Sequence, residues 1–338
     1  MTTLELIKPL MPELQPYVSV ITTTWNRAKY LPRVHAGLLK QTFCNFEWIV
    51  ADDGSDDGTA ALVTNLASAS SFSVVFVRAS VHVGKARMDN EAVAAARGKF
   101  IVWCDSDDYF LPEALSAFVN GWDSIPLVER HEFVGIVALC ESAEKTLNEK
   151  ITELATFDAK LSELEHGHQM KEDGSMFLRA EILKRYRFPE VDLVIPESAV
   201  WAALGKWKLR VLTQIVKKVE YNAEHCISFS KGMKYNRGRA YAMAIAIKNQ
   251  PEHMGQLTYS VWKTINFLRY CIHGDIGVTA ARRLWGQNTS LFLLVASVFP
   301  AALLVLKDQL QGKVVKTHLE FEQSARIAKI DSQIFNSK

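Results

Sequence analysis

From residue 17 onward, short apolar runs alternate with stretches in which apolar side chains return every three or four positions. Runs at 18–23, 46–51, 74–78 and 100–104 are short, bounded by polar turn-formers and rich in Val, Ile and Phe, which predicts strands. Between them Leu31, Val34 and Leu38 recur at helical spacing, and the Ala-rich stretch 86–97 predicts a helix stopped by Gly98. Pro112 opens another helix, with Leu115, Phe118 and Val119 on its inner face. Strand and helix in regular alternation predict an α/β domain: a mixed, mainly parallel sheet flanked by helices.

Past residue 120 the alternation loosens. Residues 133–139 read as a strand, 141–167 as a polar surface excursion or a helix beside an open cleft, and 178–187 as a short helix. A turn around Pro189 and Pro196 leads to a helix at 197–204 that Gly205 ends. The last third predicts a helical C-terminal region, with helices at 239–249, 257–271 and 280–286. Residues 291–306 are then apolar apart from Ser297. At sixteen residues with Pro300 inside, this run falls short of the roughly 20 needed to span a bilayer. It reads either as a helix packed on the protein or a second copy, or as a membrane-surface helix whose flanking Arg282, Arg283 and Lys307 suit anionic head groups.

Composition adds mainly exclusions. With 338 residues, 49% hydrophobic and 22% charged, the chain has ample core-forming material, and its net charge of +2 gives no nucleic-acid footprint. Five scattered cysteines without paired spacing argue against a disulfide framework or a zinc site and fit a reducing cytosol. The first fourteen residues lack the apolar core of a secretory signal. His166 and His168 form an isolated pair without a nearby third ligand, read as surface residues or acceptor contacts.

Chemistry concentrates where the predicted strands end. The segments VSVITTTWN at 18–26 and IVADDGSDDG at 49–58 put small polar and acidic residues at the carboxyl edge of a parallel sheet, where open α/β sheets bind ligands. Asp53 is placed to accept from the imide N–H of a pyrimidine, and Trp25 to wall the base; the plainer alternatives are a turn rich in turn-formers and a core aromatic. FIVWCDSDD at 100–108 ends a hydrophobic strand in three acids within four residues, a costly arrangement without a partner. Asp105 and Asp107 suit Mn2+ or Mg2+, with a diphosphate completing the oxygen shell; a structural calcium site or helix capping are the alternatives. In HVGKARMDN at 82–90, Lys85 and Arg87 stand near a helix start, within reach of phosphates or simply solvated.

Taken in order, these segments resemble the family 2 glycosyltransferases of GT-A (Rossmann-like) fold, the type found in bacterial polysaccharide synthesis, whose pattern runs VSVIIPTYNR, VDDGSxDGT, GxxxAxN and DSDD. Here Thr23 replaces Pro, Trp25 Tyr, Ala51 Val and Met88 Ala, with His82 where Asn is frequent. The resemblance covers 17 to about 207. It implies that Thr23 and Trp25 line the base, that Asp53 binds it, and that Asp105 and Asp107 are the metal-binding pair. Thr24, Lys85, Arg87 and Ser106 count with them as nucleotide-binding positions. The family's base stands in an acidic motif at a helix start about ninety residues further on; VIPESAVW at 194–201 matches, with Glu197 as the base, Ser198 in place of the usual Asp, and Glu190 and Asp192 as rivals.

The resulting expectation is a lead (1–16), a donor-binding half (17–125), an acceptor-binding half (126–225) and a helical extension (226–338). The implied activity is inverting, metal-assisted transfer from a nucleoside-diphosphate sugar, UDP-linked by preference, to a hydroxyl of a saccharide or lipid-linked acceptor. Two alternatives stand beside it: a catalytically silent nucleotide-binding scaffold, and, more weakly, a sugar nucleotidyltransferase, for which no Gly-rich triphosphate loop is evident. The expected location is the cytoplasm, at the inner face of the plasma membrane if the 291–306 run meets lipid.

Overall fold

The computed structural model describes residues 15–142, 156–166, 174–219, 234–249, 257–286, 291–312 and 314–336. Among these, ten strands form one mixed sheet. Its first part is β1 (Val18–Thr24), β2 (Phe46–Asp52), β3 (Ser73–Ala79) and β4 (Phe100–Trp103), separated by α1 (Leu31–Leu39), α2 (Thr59–Ser68) and α3 (Lys85–Ala95). The order β3-β2-β1-β4 is parallel throughout, so all four strands deliver their carboxyl ends to one edge.

Both faces of this sheet are covered, which explains the near-continuous apolar strands. Trp48 and Val50 on β2 join Val18 and Val20 in the core beneath α1 and α2; Ile49 and Ala51, pointing the other way, join Ile21 and Met88 of α3. All seven residues of β2 are buried.

Beyond β4 come the short β5 (Tyr109–Phe110), α4 (Ala114–Asp123), β6 (Phe133–Ser142), β7 (Phe157–Lys160), α5 (Leu161–His166), β8 (Gly174–Arg179), α6 (Ala180–Leu183), α7 (Ser198–Ala203) and β9 (Lys208–Val219). The sheet continues past β4 as β8-β6-β9-β5, with β7 on β9. Two expectations change here. Residues 178–179 end a strand and only Ala180–Leu183 is helical, because Phe177 and Leu178 fill positions between β4 and β6. The polar excursion holds β7 and α5, while His168 lies outside the described residues.

The C-terminal third contains α8 (Asn236–Asn249), α9 (Leu257–His273), α10 (Val278–Trp285), α11 (Leu291–Ala296), α12 (Val298–Leu310) and α13 (Thr317–Ile327). Ala240, Ala244, Phe267, Cys271 and Trp285 make a separate small core, and α8 packs against α7. The expected single run at 291–306 is two helices that break at Ser297, leaving Pro300 in the first turn of α12, where its missing N–H costs nothing. The region is not wholly helical: β10 (Ile330–Phe335) returns to pair antiparallel with β3 at the sheet edge.

Candidate active site

The carboxyl ends of β1, β2 and β4, the turn before α3 and the start of α7 meet at one place. Asp53 follows β2 and is buried. Its Oδ1 accepts from the backbone N–H groups of Val83 (2.6 Å) and Gly84 (3.1 Å), while Oδ2 takes Gly84 N–H (2.9 Å) and lies 2.8 Å from His82 Nδ1. Burial raises its pKa, offset in part by these donors; His82 is pushed down by burial but raised overall by Asp53. The turn needs Gly84: its φ is +93°, and a Cβ there would stand 2.2 Å from the Leu193 carbonyl oxygen. These contacts make Asp53 the residue that shapes the 82–84 turn.

That turn positions an aromatic platform. Trp25, 37% exposed, stacks on the His82 ring at 3.9 Å between centroids and 11° between planes. Thr24, counted as a nucleotide contact, is instead enclosed, and its hydroxyl has no hydrogen-bond partner among the described residues. The Thr23 hydroxyl donates to Asp89 Oδ1 (2.5 Å).

The centre of the site is Lys85, the first residue of α3. Its ammonium lies 2.8 Å from Asp89 Oδ2, 3.1 Å from Glu197 Oε1 and 3.9 Å from Asp105 Oδ1. Burial works against its charge, but the three carboxylates outweigh it and hold the ammonium well above the usual lysine pKa. Asp89 is sequestered, also receiving the Trp103 indole N–H at 3.3 Å. Glu197 and Asp105 keep side chains 46% and 39% exposed, so both face the cleft.

Cations surround the acids after β4. Arg27 pairs with Asp107 at 2.9 Å and donates to the Ser106 hydroxyl at 3.3 Å; Arg33 donates to the Asp107 backbone carbonyl. Lys217 on β9 pairs with Asp108 at 3.0 Å, yet burial still pushes Asp108 up to about 6. Asp107 is raised by burial against the pull of Arg27, whereas at Asp105 partial desolvation is outweighed by Lys85, Lys217 and Arg27, which lower it. Side-chain cations thus answer two of the three acids directly, Asp107 and Asp108, which the sequence had left without partners. The site nonetheless fits a hard divalent cation, because Asp105 lies beyond hydrogen-bond distance of Lys85 and Asp107 commits one oxygen to Arg27, the one-or-two-carboxylate pattern that leaves the remaining positions to phosphates. Ser106 is buried beneath this pair.

Arg87, expected beside the phosphates, is held by Glu91 (2.7 Å) and Glu190 (3.2 Å). Of the rival bases, Glu190 is engaged by Arg87, Asn90 and Arg187, and Asp192 is wholly buried, accepting from Thr317, Gly238 and Leu193. Glu197 is the open one of the three. Sequence reading passed over Arg27, Asp89 and Lys217 as working residues; Lys217 stands on a strand it did not recognise.

Residues 19–185 match the family model described as glycosyl transferase family 2. Over this segment the chain is a family 2 glycosyltransferase domain. Glu197 lies beyond the matched segment. Among curated relatives, the GalNAc(5)-diNAcBac-PP-undecaprenol beta-1,3-glucosyltransferase of Campylobacter jejuni is 33% identical over 105 residues, 31% of this chain and 34% of that one. The chain covers no more than about two fifths of the length of the first curated relatives it matches, at 37%, 41% and 34%. Solved structures share the GT-A fold: S. aureus TarS 1-349 in complex with UDP-GlcNAc has a TM-score of 0.56 at 18% identity, covering 85% of this chain and 81% of that one. The mannosyltransferase PcManGT of Pyrobaculum calidifontis, in complex with GDP-Man and Mn2+, has a TM-score of 0.50 at 18% identity, covering 93% and 85%.

Proposed function

We propose that this chain is an inverting glycosyltransferase that moves a sugar from a nucleoside-diphosphate donor, UDP-linked by preference, to a hydroxyl of a saccharide or lipid-linked acceptor in the cytoplasm. One observation carries the reading: a single ammonium, Lys85, joins the open carboxylate Glu197 to Asp105 at the carboxyl edge of the parallel strands. In this reading residues 17–125 hold the donor, 126–225 face the acceptor and 226–338 extend the acid-bearing half. UDP-GlcNAc in TarS and the undecaprenol-linked acceptor in the name of the Campylobacter relative support the two substrate classes.

The chain's own residues account for the transfer. Trp25, braced on His82, offers a flat face to the base, with Thr23 beside it. Arg27 and Lys85 present positive charge where the diphosphate departs. Glu197 takes the proton from the acceptor hydroxyl as that oxygen bonds to the anomeric carbon; the bond from that carbon to the diphosphate oxygen breaks on the opposite side, its electron pair leaving with the diphosphate. The diphosphate competes with Glu197 for Lys85, which leaves the Glu197 carboxylate free to meet the acceptor hydroxyl. Mn2+ or Mg2+, held by Asp105 with Asp107, would supply Lewis-acid neutralisation of the leaving group.

The test is nucleoside-diphosphate release from a panel of UDP-, GDP- and dTDP-sugars with Mn2+ or Mg2+, with calorimetry of the nucleotides alongside. Metal-dependent release from one donor that disappears in Asp107→Ala is the expected result. Pyrophosphate as product would mean nucleotidyl transfer, and absence of both turnover and nucleotide binding would overturn the reading.

A further inference from the structure

The helix α12 is apolar on two sides. Ala301 and Val305 face the protein with Asp308, which Arg269 grips at 2.5 and 2.6 Å and His273 contacts at 3.0 Å. On the other side Phe299, Leu303, Leu306 and Leu310 repeat at i, i+4, i+7 and i+11, one helical stripe, and are 72%, 53%, 53% and 80% exposed. Val295 of α11 is a further exposed apolar residue just before it. A helix apolar all round belongs in a core or in contact with lipid. Yet of Leu293–Leu310, with mean hydropathy 1.7, only 22% is buried.

Charge identifies what covers the stripe. Residues 257–317 hold seven lysines and arginines against two aspartates, while acids slightly outnumber bases in the rest of the chain. Of those two acids, Asp308 is buried against Arg269 and Asp275 pairs with Lys316, so neither places free negative charge beside the stripe. Lys307 on α12 and Arg282 and Arg283 on α10 are exposed, and α10 is tied to α11 because Leu284, Trp285 and Leu294 share one small core. A second copy docking symmetrically would set this basic margin against itself. An anionic lipid surface satisfies both features at once.

We infer that α11 and α12 lie in the plane of an anionic membrane surface, with Phe299, Leu303, Leu306 and Leu310 in the acyl boundary and Arg282, Arg283 and Lys307 at the head groups. The helix lies on the membrane and does not span it. Its thirteen residues cover about 20 Å, short of a ~30 Å hydrocarbon layer, and the Asp308 ion pairs fasten its other face to the protein. The inference rests on no part of the catalytic reading. The sequence alone had offered the whole apolar run; the structure separates Leu294, which packs inward, from the residues that face out.

The experiment is co-sedimentation of the full chain with vesicles of phosphatidylcholine alone or with 30% phosphatidylglycerol, alongside light scattering and a melting curve. Wild type should pellet with the anionic vesicles. Phe299→Ser with Leu306→Ser should raise the lipid needed for half-binding by about tenfold, and Arg282→Glu with Arg283→Glu should abolish the preference for anionic lipid. If the serine pair alters the melting curve, the charge reversal at two exposed positions carries the test. No pelleting of wild type, unchanged pelleting of both variants, or a wild-type dimer that the serine pair turns into monomer would overturn the inference.

Discussion

Lys85 stands between three carboxylates, and its neighbours divide by exposure: Asp89 is sealed off, while Glu197 and Asp105 face the cleft. The division leads to different outcomes for substitutions a few residues apart. Glu197→Gln should lower kcat by about 10^2–10^4-fold, the usual contribution of a general base, with nucleotide affinity unchanged by calorimetry. Lys85→Met should weaken nucleotide binding as well, since it removes charge from the diphosphate's position. Asp192→Asn should behave unlike either. It should leave kcat near wild type and lower the melting temperature, because it loosens the buried link from Thr317 and Gly238 and costs about 1–3 kcal/mol. A loss of turnover in Asp192→Asn at unchanged stability would move the base assignment.

At the scale of elements, β8 joins the two halves of the sheet and is held by rings. Phe177 stacks between Phe100 of β4 (4.5 Å) and Phe118 of α4 (5.2 Å), all three buried. Phe177→Ala should cost about 3–5 kcal/mol, read by chemical denaturation. The strand pattern around Phe177 is hidden in the sequence because it is covered on both faces and runs straight into α6. β9 escaped notice for another reason. Its pairing with β6 shifts register around Ala138, Leu139 and Cys140, which breaks the two-residue alternation, and Lys217 sits inside it as a buried cation that only Asp108 explains.

Across the whole molecule, the C-terminal third is tied to the catalytic sheet at separate points: α8 on α7, Thr317 on Asp192, and β10 on β3. Its own helices are joined by the Asp308 cluster, which gives a pH signature. Burial raises the Asp308 pKa, but Arg269 and His273 more than compensate and hold it below the ordinary 3.8. A depressed carboxylate stabilises above its unfolded value, so this contribution is complete above about pH 5 and fades as the pH falls through the lowered value. Melting temperature against pH should therefore drop on the acid side, and Asp308→Asn, less stable at neutrality, should show a shallower acid limb.

The local sequence determined the alternation of β1 to β4 with their helices, the placing of Asp53, Asp105 and Asp107 at strand ends, and the family resemblance, because strand and helix periodicities and turn chemistry act within a few residues. Tertiary structure decided what each acid does. Asp53 turned inward to hold a loop, Asp107 and Asp108 found Arg27 and Lys217 from 80 and 109 positions away, and Lys85 met Glu197 at a separation of 112 residues. Such pairings depend on how the sheet closes, and no spacing along the chain encodes them. The same holds for the apolar run at 291–306: composition made it apolar, but only packing against α9 decided which side remained open.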